Sequence, residues 1–424
     1  MTDGSSVPSI PGVKAPPDVA HTLRQQVARL LQRNAYSFPG AQPVSFAKRH
    51  IVENLAAEDY FVCEKSDGIR CIMYMTTFNG AEAVYLIDRK NDYYYVQNLH
   101  FPLAEDISRF HTDCLVDGEL VMDDYGNGKK VMKFLVFDSL VIDGKLLVQR
   151  TLDKRLGYFR ELVYKPYEQL CKSYPHEVEF FPFVVGFKDM EFSYALTKLW
   201  DEIVPNLKHG CDGLIFTSRL MPYVFGSDEK ILKWKPPDEN SIDFRMTLHF
   251  PIYTPGAADD DYETEDEDFR QPRAADDQDD NDEPYIDYDS QPTTYLSVWC
   301  GGDNYKPFAE LQLTPEEWDK MKARNEPLDH RIVECVMDRD NNTWHFMRFR
   351  DDKLHPNHIS VVEKIVESIR DGVTKEELLA SKDRIRDEWK RRQRGSAAGQ
   401  GRPRPPDAAV PAHARTGEKR KLQG

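Results

Sequence analysis

The stretch Glu64-Lys65-Ser66-Asp67-Gly68-Ile69-Arg70 puts a lysine at the end of an apolar run and follows it with an Asp-Gly pair and an arginine. A lysine amine is a nucleophile only without its proton, and its free pKa of about 10.4 has to be lowered by burial or by neighbouring cations. A strand-end lysine beside other basic groups is placed for that; the bland alternative is a β-turn with a surface lysine. Asp117-Gly118-Glu119-Leu120-Val121 sets two carboxylates around a glycine in an apolar strand, which alone is equally a hairpin feature. Cys211-Asp212-Gly213-Leu214-Ile215 repeats the theme, with an acid before a buried strand. Lys233-Trp234-Lys235 places two lysines on one face of a strand, because strand side chains alternate; otherwise it is an amphipathic edge. Arg348-Phe349-Arg350-Asp351-Asp352-Lys353 adds alternating cations near the far end of the chain, where the alternative is a solvated strand. Together these are the parts for moving a nucleotidyl group. Cations hold phosphate oxygens, a carboxylate holds a metal, and the lysine attacks phosphorus.

Elements that would position these residues follow from the apolar pattern. Short β-like runs succeed one another over residues 60–141, separated by turn signals such as Asn79-Gly80 and Asp143-Gly144. Helical spacing marks residues 22–33, 152–171 and 194–207, and two more strand runs carry Asp212 and the lysine pair. Pro236-Pro237 marks a break. Five further short strand candidates beyond it suit a small barrel. Residues 360–394 read as helix, with Val361, Ile365 and Ile369 four apart. Residues 1–20 and the Gly/Pro/Ala-rich, basic stretch 395–424 are expected to be unstructured.

Composition excludes several classes. The chain has 424 residues, enough for two or three domains, and 40% apolar content rules out a wholly disordered chain. No apolar run approaches a membrane span, and the start shows no basic-then-apolar leader. Seven scattered cysteines without a C-x-x-C pair give neither a disulfide framework nor a zinc site, which suits a reducing compartment. The net charge of −16 is misleading until it is located: residues 259–289 hold 16 Asp and Glu against Arg270 and Arg273. The remainder is close to neutral, so a nucleic-acid substrate is not excluded.

Taken in order, KSDGIR, DGELV, FLVFDSLVIDG, CDGLIFT, ILKWKPP and RFRDDK resemble the covalent nucleotidyltransferase superfamily of mRNA capping enzymes and ATP-dependent polynucleotide ligases. IDRKNDYYYV, FKDMEFSYAL and WHFMRFRDDKLHPN resemble the capping branch, of the fungal type in which the guanylyltransferase is a separate polypeptide. The alternative within the superfamily is an ATP-dependent polynucleotide ligase.

The resemblance implies an α+β fold. A nucleotidyltransferase domain of the ligase/capping type, ATP-grasp-like, spans residues 21–242. An OB-fold β-barrel spans 243–355 with an acidic insertion at 257–290, and a helical segment, 356–394, packs back on the first domain. The insertion reads as a solvated loop or a docking segment. The implied substrate is GTP, with Mg²⁺ or Mn²⁺. Lys65 becomes the nucleophile, and Arg70 and Glu119 hold the ribose. Phe137 stacks on guanine, Lys188 meets its edge, and Asp212 supports the metal and the lysine. Lys233 and Lys235 grip the α-phosphate. Arg348, Asp352 and Lys353 orient the β- and γ-phosphates, and Asp243 also faces them. Implied partners are 5′-diphosphate RNA, a separate RNA 5′-triphosphatase and the phosphorylated C-terminal domain of the largest RNA polymerase II subunit, with no membrane. The residues before Lys65 hold no Cys-x5-Arg loop, so the triphosphatase is expected on another chain. The implied location is the nucleus, for which the clusters Lys390-Arg391-Arg392 with Arg394, and Lys419-Arg420-Lys421, are weak signals.

Overall fold

The structure is a computed structural model in which residues 8–253 and 283–399 are described. Residues 257–282 of the acidic insertion and 400–424 of the basic tail lie outside the described residues. The Ile69–Phe78, Ala81–Ile87 and Tyr93–Val96 strands form an antiparallel meander. Asn79 and Gly80 turn its first hairpin, both at positive φ as a two-residue turn requires. Cys114–Asp124 and Lys130–Ile142 extend the sheet on the other side, and Val184–Phe187 joins in parallel. The run Cys71-Ile72-Met73-Tyr74-Met75 is apolar throughout because both faces of this sheet are buried. Cys71, Met73 and Met75 meet Phe159, Val163 and Tyr167 of the segment predicted helical over 152–171, while Ile72 and Tyr74 meet Leu23 and Val27 of the Pro17–Leu30 helix.

A second sheet runs in the order Glu191–Phe192, Tyr60–Ser66, Cys211–Ser218, Gly226–Trp234, Ala41–Ser45. All five strand candidates beyond Pro236-Pro237 enter a closed barrel. Its order is Ser241–His249, Thr293–Trp299, Tyr305–Gln312, Thr343–Phe349, Ile332–Asp338, that is first, second, third, fifth, fourth. This is the strand order of an OB-fold, with the Pro315–Lys322 helix between the third and fourth strands. Thr314 and Glu317 start that helix by reciprocal side-chain capping.

Three expectations need correction. Residues 8–20 are ordered: Val13–Lys14 pairs with Tyr94 and Tyr95, and the first helix begins at Pro17. The single helix expected over 360–394 is two, Ile359–Arg370 and Lys375–Gly399, the second running past 394. Gly372 packs against Pro237, and Thr374 and Glu377 cap a new helix start there. Residues 194–207 form only a short irregular helical stretch, broken into α, π and 3₁₀ turns ahead of Leu207. The first C-terminal helix packs in the barrel core through Val362 and Ile369. The second returns to the five-stranded sheet, where Leu378 and Ile385 join its core.

Candidate active site

A cleft of about 240 Å³ opens between the two sheets, and Lys65 and Lys233 line it from one side while Arg70, Glu119 and Phe137 line it from the other. On the lysine side, Ser66 pairs with Cys211 and Glu64 with Leu214, so Asp212 and Gly213 together stand opposite Lys65 alone. This is a β-bulge, which bends a strand and re-aims a side chain. Gly213 sits at φ +152°, and a Cβ there would lie 2.1 Å from the Trp234 carbonyl oxygen, so no other residue fits. The bulge brings Asp212 Oδ1 to 2.5 Å from Lys65 Nζ and Oδ2 to 2.5 Å from Lys235 Nζ. Burial would push the Asp212 carboxyl up, but the hydrogen bonds from Lys235 and Lys65 outweigh it and hold it below the usual carboxylate range. Lys233 has no carboxylate partner among the described residues. Partial burial, and then the nearby charges of Lys65, Arg89 and Lys235, lower its pKa.

The opposite wall is built on a bulge as well. The register of the Lys130–Ile142 strand jumps between Val136 and Asp138, leaving Phe137 unpaired in the ladder and facing the cleft. Arg70 lies directly across from Glu119. Its guanidinium is buried in a two-point pair with Asp117, Nε–Oδ1 3.0 Å and Nη2–Oδ2 2.6 Å, and a third nitrogen donates to the Ala41 carbonyl. Tyr223 donates to the same carboxylate at 2.7 Å. Three of the five guanidinium N–H groups are thereby committed, and the group lies 5.3 Å from the Phe137 ring centre. Lys188 is buried, with Nζ 2.6 Å from Ser66 Oγ and 3.4 Å from Glu119 Oε2. Burial works against its charge, but Cys63, Glu64 and Glu119 outweigh it and raise the Lys188 pKa.

Eight of the twelve residues picked from sequence are thus gathered at this cleft, and four are not. Asp243, Arg348, Asp352 and Lys353 sit together on the barrel. Arg348 Nε lies 2.6 Å from Glu334, Lys353 pairs with Asp243, and Arg350 joins Asp243 to Asp352 at 2.9 Å each. Asp243 was expected to face phosphates; its carboxylate instead holds two cations, the pairing its charge favours. Sequence reading missed Arg89, which lines the cleft without a carboxylate partner among the described residues, and Ile215 and Met190, which supply apolar wall. Arg89 was within the quoted run IDRKNDYYYV, and its cationic side chain was the available signal.

Residues 5–237 match the family model described as mRNA capping enzyme, catalytic domain, and residues 239–379 match the one described as mRNA capping enzyme, C-terminal domain. The chain belongs to the mRNA capping enzyme family. It is 47% identical to the mRNA-capping enzyme subunit alpha of Neurospora crassa over 90% of this chain and 93% of that one. The subunit of the same name in Schizosaccharomyces pombe is 43% identical over 92% and 90%, and that of Saccharomyces cerevisiae 36% over 94% and 90%. Among solved structures, a mycobacterial DNA ligase D complexed with ATP and MES is similar over 74% of this chain and 95% of that chain. Its TM-score of 0.35 and 14% identity are too distant to add to the assignment. This capping enzyme is therefore an mRNA guanylyltransferase, not a polynucleotide ligase, on a nucleotidyltransferase domain followed by an OB barrel.

Proposed function

We propose that this guanylyltransferase works through a covalent lysyl–GMP intermediate on Lys65. The observation that carries the reading is Asp212 held between Lys65 and Lys235 at 2.5 Å each, at one wall of a cleft whose other wall carries Phe137 and Glu119. The Lys65 amine, its proton lost to solvent, attacks the α-phosphorus of GTP. The P–N bond forms as the bond to pyrophosphate breaks. The β-phosphate of a 5′-diphosphate RNA then attacks the same phosphorus, the P–N bond breaks, and GpppRNA leaves with Lys65 restored.

Lys233, Lys235 and Arg89 face the triphosphate as cations and stabilise charge gathering on its oxygens. Phe137 stacks on the guanine with Ile215 on the apolar wall, Lys188 donates to the base edge, and Glu119 with the remaining N–H groups of Arg70 takes the ribose hydroxyls. The donor set suits Mg²⁺ or Mn²⁺: Asp212 offers hard carboxylate oxygens, and such ions are commonly held by one or two carboxylates plus substrate phosphates. When bound there, the ion supplies charge neutralisation at the phosphate oxygens. Arg348, Asp352 and Lys353 serve the leaving pyrophosphate after the barrel closes on the cleft.

Capping acts on nascent transcripts, so the enzyme works in the nucleus beside the phosphorylated polymerase tail. The relatives' designation as a subunit alpha supports a separate partner chain, the RNA 5′-triphosphatase. No helix among the described residues is long and apolar enough to cross a membrane. Of the basic cluster at 390–394, Arg392 is packed against Asp59, while Arg391 stays exposed beside Glu388. The second cluster, 419–421, lies outside the described residues. The test is incubation with GTP or ATP labelled at the α-phosphate, followed by denaturation. Label from GTP must stay on the wild-type chain and be lost in Lys65→Ala; retention from ATP instead would overturn the reading.

A further inference from the structure

Behind the cleft lies a second set of ionisable groups that the reaction above does not use. Strand alternation turns Lys65 toward the cleft and Glu64 away from it, into the interior. Glu64 Oε1 lies 3.7 Å from Lys188 Nζ, 3.7 Å from His209 Nε2 and 3.4 Å from the Ser66 hydroxyl. The other ring nitrogen of His209 is 2.7 Å from Asp123, whose second oxygen lies 2.6 Å from Lys133 Nζ. The side chains of Glu64, Lys188, His209 and Asp123 are each 8% exposed or less.

Charge in this cluster does not balance without the imidazole. Asp123, Glu64 and Glu119 face Lys133 and Lys188, three carboxylates against two ammonium groups. A ring with one nitrogen toward each of two carboxylates is placed to be an imidazolium. Burial opposes charge on His209, but Glu64 and Asp123 outweigh burial and raise its pKa. Buried polar atoms are as a rule paired, yet His209 Nε2 and Glu64 Oε2 have no hydrogen-bond partner among the described residues. They belong to facing groups 3.7 Å apart, one small shift from a full hydrogen bond.

We propose that His209, anchored by Asp123, is a positioning residue for purine selection. It holds the Glu64 side chain turned toward Lys188, and so fixes the ammonium that reads the base edge. Lys188 commits one N–H to Ser66 and one to Glu119; at 3.7 Å Glu64 attracts the ammonium without taking the third N–H, which stays free for the base. Guanine offers a carbonyl acceptor at its six-position. Adenine offers an amino donor there, which a fixed ammonium repels. Without the imidazolium, Glu64 Oε1 keeps only Ser66 and Lys188 beside it among the described residues, and Lys188 loses its fixed aim. The inference rests on Lys188 being the base-edge contact.

The test uses the full-length chain and measures Lys65 adduct formation over a range of GTP and of ATP concentrations. Wild type is compared with His209→Gln, Glu64→Gln and Lys188→Met, each checked for folding by thermal melting. In His209→Gln the GTP KM rises about tenfold and the GTP-over-ATP preference shrinks by a similar factor, while the maximal rate stays within about threefold, because the phosphate-side groups are untouched. Glu64→Gln moves the same quantities in the same direction. If Lys188→Met erodes the preference but folded His209→Gln keeps the wild-type KM and preference, or loses only maximal rate, the positioning role is wrong and the base-edge reading stands. If Lys188→Met leaves the preference intact, the base-edge reading fails and the inference with it. Should His209→Gln not fold, Glu64→Gln decides: wild-type KM and preference there reject the proposal.

Discussion

Asp212 reaches Lys65 at 2.5 Å because the strand facing the lysine carries one residue more than the lysine strand does. The bulge exists because Gly213 tolerates a positive φ with the Trp234 carbonyl where a Cβ would be. Gly213→Ala should therefore remove activity and stability together. The strand must move to admit the methyl, which costs about 1–3 kcal/mol, and Asp212 swings off the lysines as it does. Thermal melting and adduct assays well below the melting temperature separate the two effects. A variant as stable and as active as wild type would show that the bulge does not place Asp212.

Lys65→Ala should abolish the adduct, and Lys65→Arg should do the same, because a guanidinium keeps its proton at any working pH. The adduct on the wild-type chain should survive alkali and be cleaved by acid, as a phosphoramidate is. Persistence of label on Lys65→Ala would move the nucleophile to another residue.

Lys233→Ala and Lys235→Ala should differ in their side effects. Each removes a cation facing the phosphates, worth about 2–4 kcal/mol in the rate of adduct formation. Lys235 also shares Asp212 with Lys65, so its loss leaves Asp212 with one ammonium and alters the pH profile; Lys233 has no such partner among the described residues. Rates within twofold of wild type for both would mean that this strand does not meet the triphosphate.

Strand alternation and motif order made much of this site legible. The same-face placement of Lys233 and Lys235 follows from period two, and the five barrel strands and the Asn79-Gly80 hairpin followed from composition and turn signals. Alternation has no means of announcing a bulge, so the aim of Asp212 and of Phe137 was beyond it. Nor does a cation in sequence reveal what it pairs with. Arg70 read as a ribose donor, but much of its guanidinium is committed to Asp117 and Ala41 across sequence separations of 47 and 29 residues. The split of the C-terminal helix was in reach, since Gly372 and the Thr374/Glu377 pair spell a stop and a new start.

Arg348→Ala and Lys353→Ala should slow adduct formation more than transfer from preformed adduct to RNA. Their positive charges serve the pyrophosphate, which is absent from the second step. In the structure Arg348 is held by Glu334 and Lys353 by Asp243, so reaching the triphosphate means exchanging a carboxylate for a phosphate. Asp243→Asn, which weakens that hold on Lys353, should spare adduct formation better than Lys353→Ala does. Single-turnover rates for the two half-reactions check this, and equal losses in both would contradict closure of the barrel.

The C-terminal helix gives a prediction in two cuts. Ending the chain after Ser381 removes Ile385, which is buried in the core of the five-stranded sheet, and Trp389, whose ring lies 5.2 Å from Tyr194 and 5.6 Å from Phe192. It also removes Arg392, which lies 3.0 Å from Asp59 and donates to the Glu58 carbonyl at 3.1 Å. Truncating a buried Ile alone typically costs about 2–5 kcal/mol, so this cut should lower the melting temperature by several degrees and, at 37 °C, the adduct yield with it. A cut after Arg394 keeps all three contacts and every residue assigned to the cleft. It should leave both the melting curve and the rate of Lys65 guanylylation at wild-type values. If the longer chain folded normally by circular dichroism yet formed no adduct, residues beyond 394 would have to reach the cleft, and the working enzyme would extend further than the packed helix does.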